Sequence, residues 1–332
     1  MKLLRRPLAL KTEDVSFDKL GFGPCRWEVR RRLEKVMETF VEGFNTALYE
    51  PDPYQVATIL RVDFDAHHRG FAFEGAGMYY ALADLLLPWG GRRRLRHAVD
   101  GALAPHGFIA TVGAGFAVAR VPWGLRAMDD FLAELDPMTG WCVPDGYGFH
   151  QGLFHPERFV DGQEEAPASF PPYARRLFDS GVGRSLWWSR GAVPERIAET
   201  LAGFAPERQA EMWCGLGVAC AYACGVEDGV LKRLAELSGR HRGHLISGVF
   251  FAARMRYLGG NYSPETQRVS RLWLGMDAQA AAEALTPLVD EIETAMAPSE
   301  LRSGCYDRLR DLILLRLLPD GWRSHEPLRG EA

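Results

Sequence analysis

Glu74 stands in Phe71-Ala72-Phe73-Glu74-Gly75-Ala76-Gly77-Met78, a carboxylate inside a run of apolar and small residues. Burying such a group without a partner is costly, and burial raises its pKa. It could therefore keep its proton at neutral pH and act as an acid. The competing reading is structural: Glu74 pairs with an arginine such as Arg69 or Arg120. Glu42 holds the same place beside Gly43. A second group lies in Asp145-Gly146-Tyr147-Gly148-Phe149-His150-Gln151-Gly152. A histidine with an aspartate and a tyrosine just upstream has the make-up of an oriented general base, so Asp145, Tyr147 and His150 join Glu74 as candidate catalytic residues. Plain hydrogen-bonded packing of a loop is the alternative. Tyr79, Trp141, Phe149 and Trp187 are the candidate substrate-binding residues, because flat apolar surface is what lines small-molecule pockets; ordinary core is again the alternative.

Other constellations point away from chemistry. His150 and His155 are five apart, which does not put both on one helical face as four would, so no metal signature is present. Asp63, Asp65, His67 and His68 crowd oxygen and nitrogen donors together without further spaced ligands, and read better as a solvated turn. Cys214 lies in a small-residue helix without a base beside it, and Cys142 is equally unsupported as a nucleophile. There is no G-x-x-x-x-G-K-[ST] loop, and Gly113-Ala114-Gly115 lacks the third glycine and the following acidic residue of a dinucleotide fingerprint. No cofactor and no metal are expected.

These residues must be positioned by the rest of the chain. With 332 residues, 47% of them hydrophobic, it can bury a sizeable core. A net charge of −4 supplies no basic field for nucleic acid, and Arg30-Arg31-Arg32 and Arg92-Arg93-Arg94 read as solvated faces. The six cysteines form no C-x-x-C pair, Met1-Lys2-Leu3-Leu4-Arg5-Arg6-Pro7 lacks an apolar h-region, and no apolar run reaches spanning length. A reduced, cytoplasmic setting is the expectation.

Small residues between apolar ones recur, with first glycines at 43, 75, 113, 152, 183, 215 and 248. Such intervals suit stacked helix pairs. A glycine inside a helix costs about 1 kcal/mol against alanine, so a recurring one needs a reason, and close approach of two helix backbones supplies it. The expected fold is all-α, a solenoid-like stack of about seven helical hairpins. Residues 107–121 are ambiguous: β-branched content suggests a short β segment, the glycine register a helix. The segment 1–24 reads as extended and 25–160 as a first helical half. The stretch Asp136–Phe149 reads as irregular and 161–172 as a polar loop marking a boundary. A second helical half spans 173–318, with helices expected at 173–180 and 182–190 among others, and 319–332 is a loose tail. Pro194, Pro206 and Pro264 sit where helices begin, Gly225, Gly239 and Gly259-Gly260 where they end.

Five motifs in order, Gly70-Phe71-Ala72-Phe73-Glu74-Gly75-Ala76-Gly77-Met78, Val112-Gly113-Ala114-Gly115-Phe116-Ala117-Val118-Ala119-Arg120, Asp145 to Gly152, Gly183-Arg184-Ser185-Leu186-Trp187, and Trp213-Cys214-Gly215-Leu216-Gly217-Val218-Ala219-Cys220-Ala221-Tyr222, resemble the UnbL-type proteins. These are a domain-of-unknown-function family often encoded in enediyne polyketide gene clusters. The resemblance covers about residues 25–300 and implies a bacterial, cytoplasmic role in secondary metabolism. It implies action on a polyene or polyyne from an iterative polyketide synthase, and carries over no catalytic residue. Three readings stay open: cofactor-independent processing of a polyene in an apolar pocket, a non-catalytic scaffold for the synthase or other pathway proteins, and a carrier that shields the polyene.

Overall fold

A computed structural model describes residues 5–87 and 93–318, and among them there are helices and turns but no strand. Seven helices carry the core: α1 (Trp27–Tyr49), α2 (Arg69–Leu86), α3 (Gly107–Arg120), α4 (Cys142–Phe154), α5 (Pro172–Ser189), α6 (Pro206–Tyr222) and α7 (Arg242–Leu258). Each packs against the next in chain order. Shorter helices connect several of them, among them Pro53–Asp63, Gly124–Glu134, Pro194–Gly203 and Asp228–Leu237. Pro194, Pro206 and Pro264 open their helices, where the missing N–H is one the helix could not have paired anyway. Gly225, Gly239 and Gly260 take positive φ after helix ends.

The recurring glycines explain the packing. A Cβ on Gly113 of α3 would overlap the Glu74 carbonyl of α2, and one on Gly75 of α2 would overlap the Phe40 carbonyl of α1. Gly43, Gly183, Gly215 and Gly248 likewise face the backbone of a neighbouring core helix. Without a Cβ the two backbones come close enough for both helices to bury wide faces. On α4 this is done by Gly146 and Gly148, whereas Gly152 faces the Ser185 hydroxyl.

Several local expectations are corrected. Residues 107–120 form helix α3, not a β segment, because Ile109, Val112 and Val118 are buried between neighbours and tertiary packing outweighs β-branched preference. The Asp136–Phe149 stretch is helical, as Pro137–Gly140 followed by α4; Pro144 sits in the first turn of α4, where a proline costs no intrahelical bond. The two helices expected at 173–180 and 182–190 are one, α5 (Pro172–Ser189), running through Gly181-Val182-Gly183. The N-terminal segment is not extended: Arg5–Leu8, Thr12–Val15 and Phe17–Leu20 are short helical turns. They are tied to α1 by the Leu10–Asn45 amide pair (3.0 and 2.9 Å) and by Phe17 N–H donating to Glu34 Oε1 (3.0 Å). Residues 88–92, which include Arg92 of the second basic run, and the tail 319–332 lie outside the described residues.

The polar loop before α5 does not separate one core from another, since α4 and α5 pack directly across it. Contacts also run across the row. Trp188 Nε1 of α5 donates to the Leu33 carbonyl of α1 (3.3 Å), and Phe71 of α2 meets Tyr222 of α6 edge-on at 5.1 Å. Arg256 Nη1 of α7 donates to the Ala66 and His67 carbonyls (2.9 and 2.7 Å) just before α2. The last helix, α8 (Pro298–Leu312), is pinned by a buried network in which Arg310 and Tyr306 both donate to Glu211 Oε2 (2.9 and 2.7 Å) and Arg310 also meets His244 Nδ1 (2.9 Å).

Candidate functional site

Glu74 faces inward from α2 and is 3% exposed. Its Oε1 has no hydrogen-bond partner. Neither Arg69 nor Arg120 pairs with it: Arg69 donates to the Phe64 and Arg61 carbonyls, and Arg120 lies over the Phe154 ring. The charge it feels is Arg184, on α5. Arg184 Nη2 stands 2.7 Å from Asp145 Oδ2 of α4, and the Ser180 hydroxyl donates to Asp145 Oδ1 (2.9 Å). All three charged side chains are buried. One guanidinium thus serves two carboxyl groups, and Asp145 holds it. Burial pushes Glu74 up to about 8, Arg184 offsetting some of this and Asp145 adding to it. Burial also raises Asp145, with Arg184 and the Ser180 hydroxyl pulling it back. A protonated Glu74 beside an Asp145–Arg184 ion pair would leave the buried cluster without net charge.

An apolar cavity of about 40 Å³ adjoins Glu74, lined by Phe40, Phe71, Phe116, Phe149, Phe154 and Trp188, with Val15 also on its wall. Phe149 packs on Trp188 and Phe116 (both 5.4 Å between centroids), with the Arg184 guanidinium 5.3 Å from its ring. That volume holds a water molecule or two, not a ligand.

The helical form of α4 decides what the remaining candidates can do. Successive residues turn by about 100°, so Asp145 and Phe149 share a face while Tyr147 points almost oppositely to Asp145. Tyr147 accepts from Gln151 Nε2 (3.0 Å) and packs on Phe170 and Phe178. His150 is buried beside Phe116 and Phe154, its Nδ1 3.3 Å from Gln151 Oε1 and its Nε2 without a partner. Burial, then Arg120, drop it to about 3, so it is a neutral imidazole. No hydrogen bond joins His150 to Asp145 or Tyr147 among the described residues, so the three do not form the oriented base that an irregular segment would have allowed.

Of the aromatic candidates, Phe149 lines the Glu74 cavity. Trp187 does not: it is fully buried and its Nε1 donates to the Cys224 carbonyl (2.8 Å), while its neighbour Trp188 takes the cavity position. Tyr79 lies between Phe44 and Tyr80, near a separate surface pocket bordered by Pro51 and Arg94. Trp141 lines a third cavity. Asp65 accepts from the His68 N–H (2.9 Å) and His67 meets Ser263 (2.8 Å); Asp63 ends the helix Pro53–Asp63, and residues 66–68 form a turn before α2. Glu42, which stands beside Gly43 as Glu74 stands beside Gly75, pairs with Lys35 on the surface (3.4 Å). The residue of this buried cluster that sequence reasoning missed is Arg184. Its signal was an arginine directly after the recurring small residues Gly181-Val182-Gly183, in an otherwise largely apolar stretch.

Fold and site together define a class: an all-α protein with a carboxyl–guanidinium–carboxylate cluster buried beneath a small aromatic-walled cavity. The chain belongs to the family described as Protein of unknown function (DUF1702), whose model matches residues 1–314. No curated protein and no solved structure matches it.

Proposed function

We propose that the chain works in bacterial secondary metabolism, in the cytoplasm, as a cofactor-independent enzyme acting on a polyene or polyyne of enediyne-type polyketide origin, with Glu74 as the proton donor. The observation that carries this is a carboxyl group kept protonated to about pH 8, without a hydrogen-bond partner, against an aromatic cavity. The substrate class comes from the resemblance to the UnbL-type proteins. In the proposed step, the Glu74 O–H protonates one carbon of the conjugated chain, and a π pair becomes the new C–H bond. The allylic cation faces the rings of Phe116, Phe149 and Trp188. The carboxylate then recovers a proton from another carbon of the chain, giving isomerisation or ring closure with no change of oxidation state. Asp145 and Arg184 do not join in bond making; they keep a second full charge away from Glu74. Access for a chain requires Phe40, Phe154 and the Val15 turn to move outward, since the cavity as it stands is too small.

That small volume favours a second reading, a non-catalytic scaffold or polyene carrier that partners a polyketide synthase. A deletion strain complemented with wild type or Glu74→Gln separates the two. The enzyme reading expects the Glu74→Gln strain to accumulate the same polyene as the deletion. Full restoration of the end product by Glu74→Gln rejects catalysis and leaves the scaffold or carrier.

A further inference from the structure

The side chains around the Glu74 cavity are not equally shielded. Of the eleven that line it, nine are buried, and only Phe40 and Phe154 are half-buried. Both pack on Phe116, at 5.0 and 6.4 Å between centroids, so the thinnest cover gathers around that ring. Arg120 stands at this spot. It follows Phe116 by four residues on α3, which places it one turn further along the same helix face, about 6 Å on. Its guanidinium lies over the Phe154 ring, 5.4 Å from the centroid. Arg120 is exposed, and among the described residues it makes no hydrogen bond and no ion pair. Arg158 and Arg190, by contrast, each hold a carboxylate, Glu164 and Asp161. The carboxylate whose charge reaches Arg120 is the exposed Asp14, on the Thr12–Val15 turn and next in the chain to Val15 of the cavity wall. His155, beside Phe154 in the chain, is occupied with Glu157 at 3.8 Å.

We propose that Arg120 anchors the anionic end, a carboxylate or a phosphate monoester, of an unsaturated chain that enters between Phe40 and Phe154 and runs past Phe116 toward Glu74. The Phe154 ring seats the cation without using its N–H donors. A guanidinium presents those donors in pairs, which suits two oxygens of one anionic group. The outward move of the Val15 turn that access requires carries Asp14 away from Arg120, and the anion then takes over the counter-charge that Asp14 supplies while the turn is closed. This assignment rests on the reading that a chain enters the Glu74 cavity, and not on proton transfer there.

The test uses the full-length protein, cis-parinaric acid (a fluorescent conjugated tetraene with a carboxylate end) and its methyl ester. Fluorescence titration of wild type should show saturable binding of the acid, about tenfold tighter than the ester, the size of one charge-assisted contact. Arg120→Met should lose that preference with ester affinity unchanged, and Arg120→Lys should keep part of it. Asp14→Asn should tighten the acid by about twofold to threefold and leave the ester alone. Displacement of the bound acid by dodecanoate or by dodecyl phosphate, but not by dodecanol at equal concentration, supports the anchor, and the tighter of the two anions names the end group. Equal binding of acid and ester by wild type, a preference that survives in Arg120→Met, equal displacement by dodecanol, or failure of both probes to bind would overturn the proposal. Glu74→Gln should keep the preference for the acid. If that variant restores the end product in the deletion strain while the preference persists, proton transfer at Glu74 is rejected and the Arg120 anchor stands.

Discussion

Glu74 and Arg184 show how one residue's chemistry depends on a count of neighbours. Two carboxyl groups and one guanidinium are buried together, and the closer ion pair, Arg184 with Asp145, leaves Glu74 to keep its proton. A carboxyl raised to about 8 in the folded chain, from an ordinary value near 4.5, is protonated when folded and ionised when unfolded between those two pH values. The folded state then binds the extra proton, so this group's contribution to stability falls as pH rises through that window, by about 1.4 kcal/mol per pH unit. Glu74→Gln has no proton to lose. It should match wild type near pH 4.5 and exceed it by roughly 2–3 kcal/mol near neutral pH, as read from urea midpoints at matched m-values. A gap that stays constant with pH would mean that Glu74 is ionised in the folded chain. The same helix turn that keeps Asp145 beside Phe149 sends Tyr147 the other way, which is why three residues close in sequence do not make one site.

At the level of helices, the glycines do the positioning. Glu74 comes within electrostatic range of Asp145 and Arg184 because α2, α3, α4 and α5 approach closely at Gly77, Gly113, Gly146, Gly148 and Gly181. In Gly113→Ala the new methyl would meet the Glu74 carbonyl, a backbone atom that cannot rotate away, so the two helices must separate and lose contact along their length. The expected cost is at least the 1–3 kcal/mol of ordinary overpacking, seen as a fall in thermal midpoint or failure to fold. Gly229, within Asp228–Leu237, has nothing near its missing Cβ. Gly229→Ala should therefore be neutral or stabilising by up to about 1 kcal/mol, and equal effects at the two sites would remove the close-approach explanation. Helix ends were legible from sequence wherever a proline or a glycine marked them, as at Pro194, Pro206 and Gly225. The Asp136–Phe149 stretch was not, because its glycines and Pro144 look like loop residues until a neighbouring backbone is there to use the space.

Across the whole molecule, burial of histidines sets the acid limit. His67 is lowered to about 4, His106 and His150 to about 3, and His244 well below its ordinary value, each mainly by burial. Below pH 6.5 the unfolded chain takes up protons that the folded one refuses, so stability is lost as pH falls from 6.5 toward 4, against the opposite and smaller trend of Glu74. Urea midpoints should drop between pH 7 and pH 5. His106→Phe, whose ring replaces the imidazole stacked on Phe73 at 3.9 Å, should flatten that drop by about one proton's worth, and an unchanged slope would place a proton on folded His106. The amino-acid sequence by itself determined the helical class, the recurrence of small residues and the presence of a carboxyl in an apolar run, because periodicity and composition are local properties. Which glycines meet which backbones, that Arg184 joins Glu74 and Asp145, and that Trp187 and Tyr147 face elsewhere were decided by tertiary structure alone. Those pairings join residues far apart in the chain, and they depend on how each helix is rotated about its axis when its neighbours close on it.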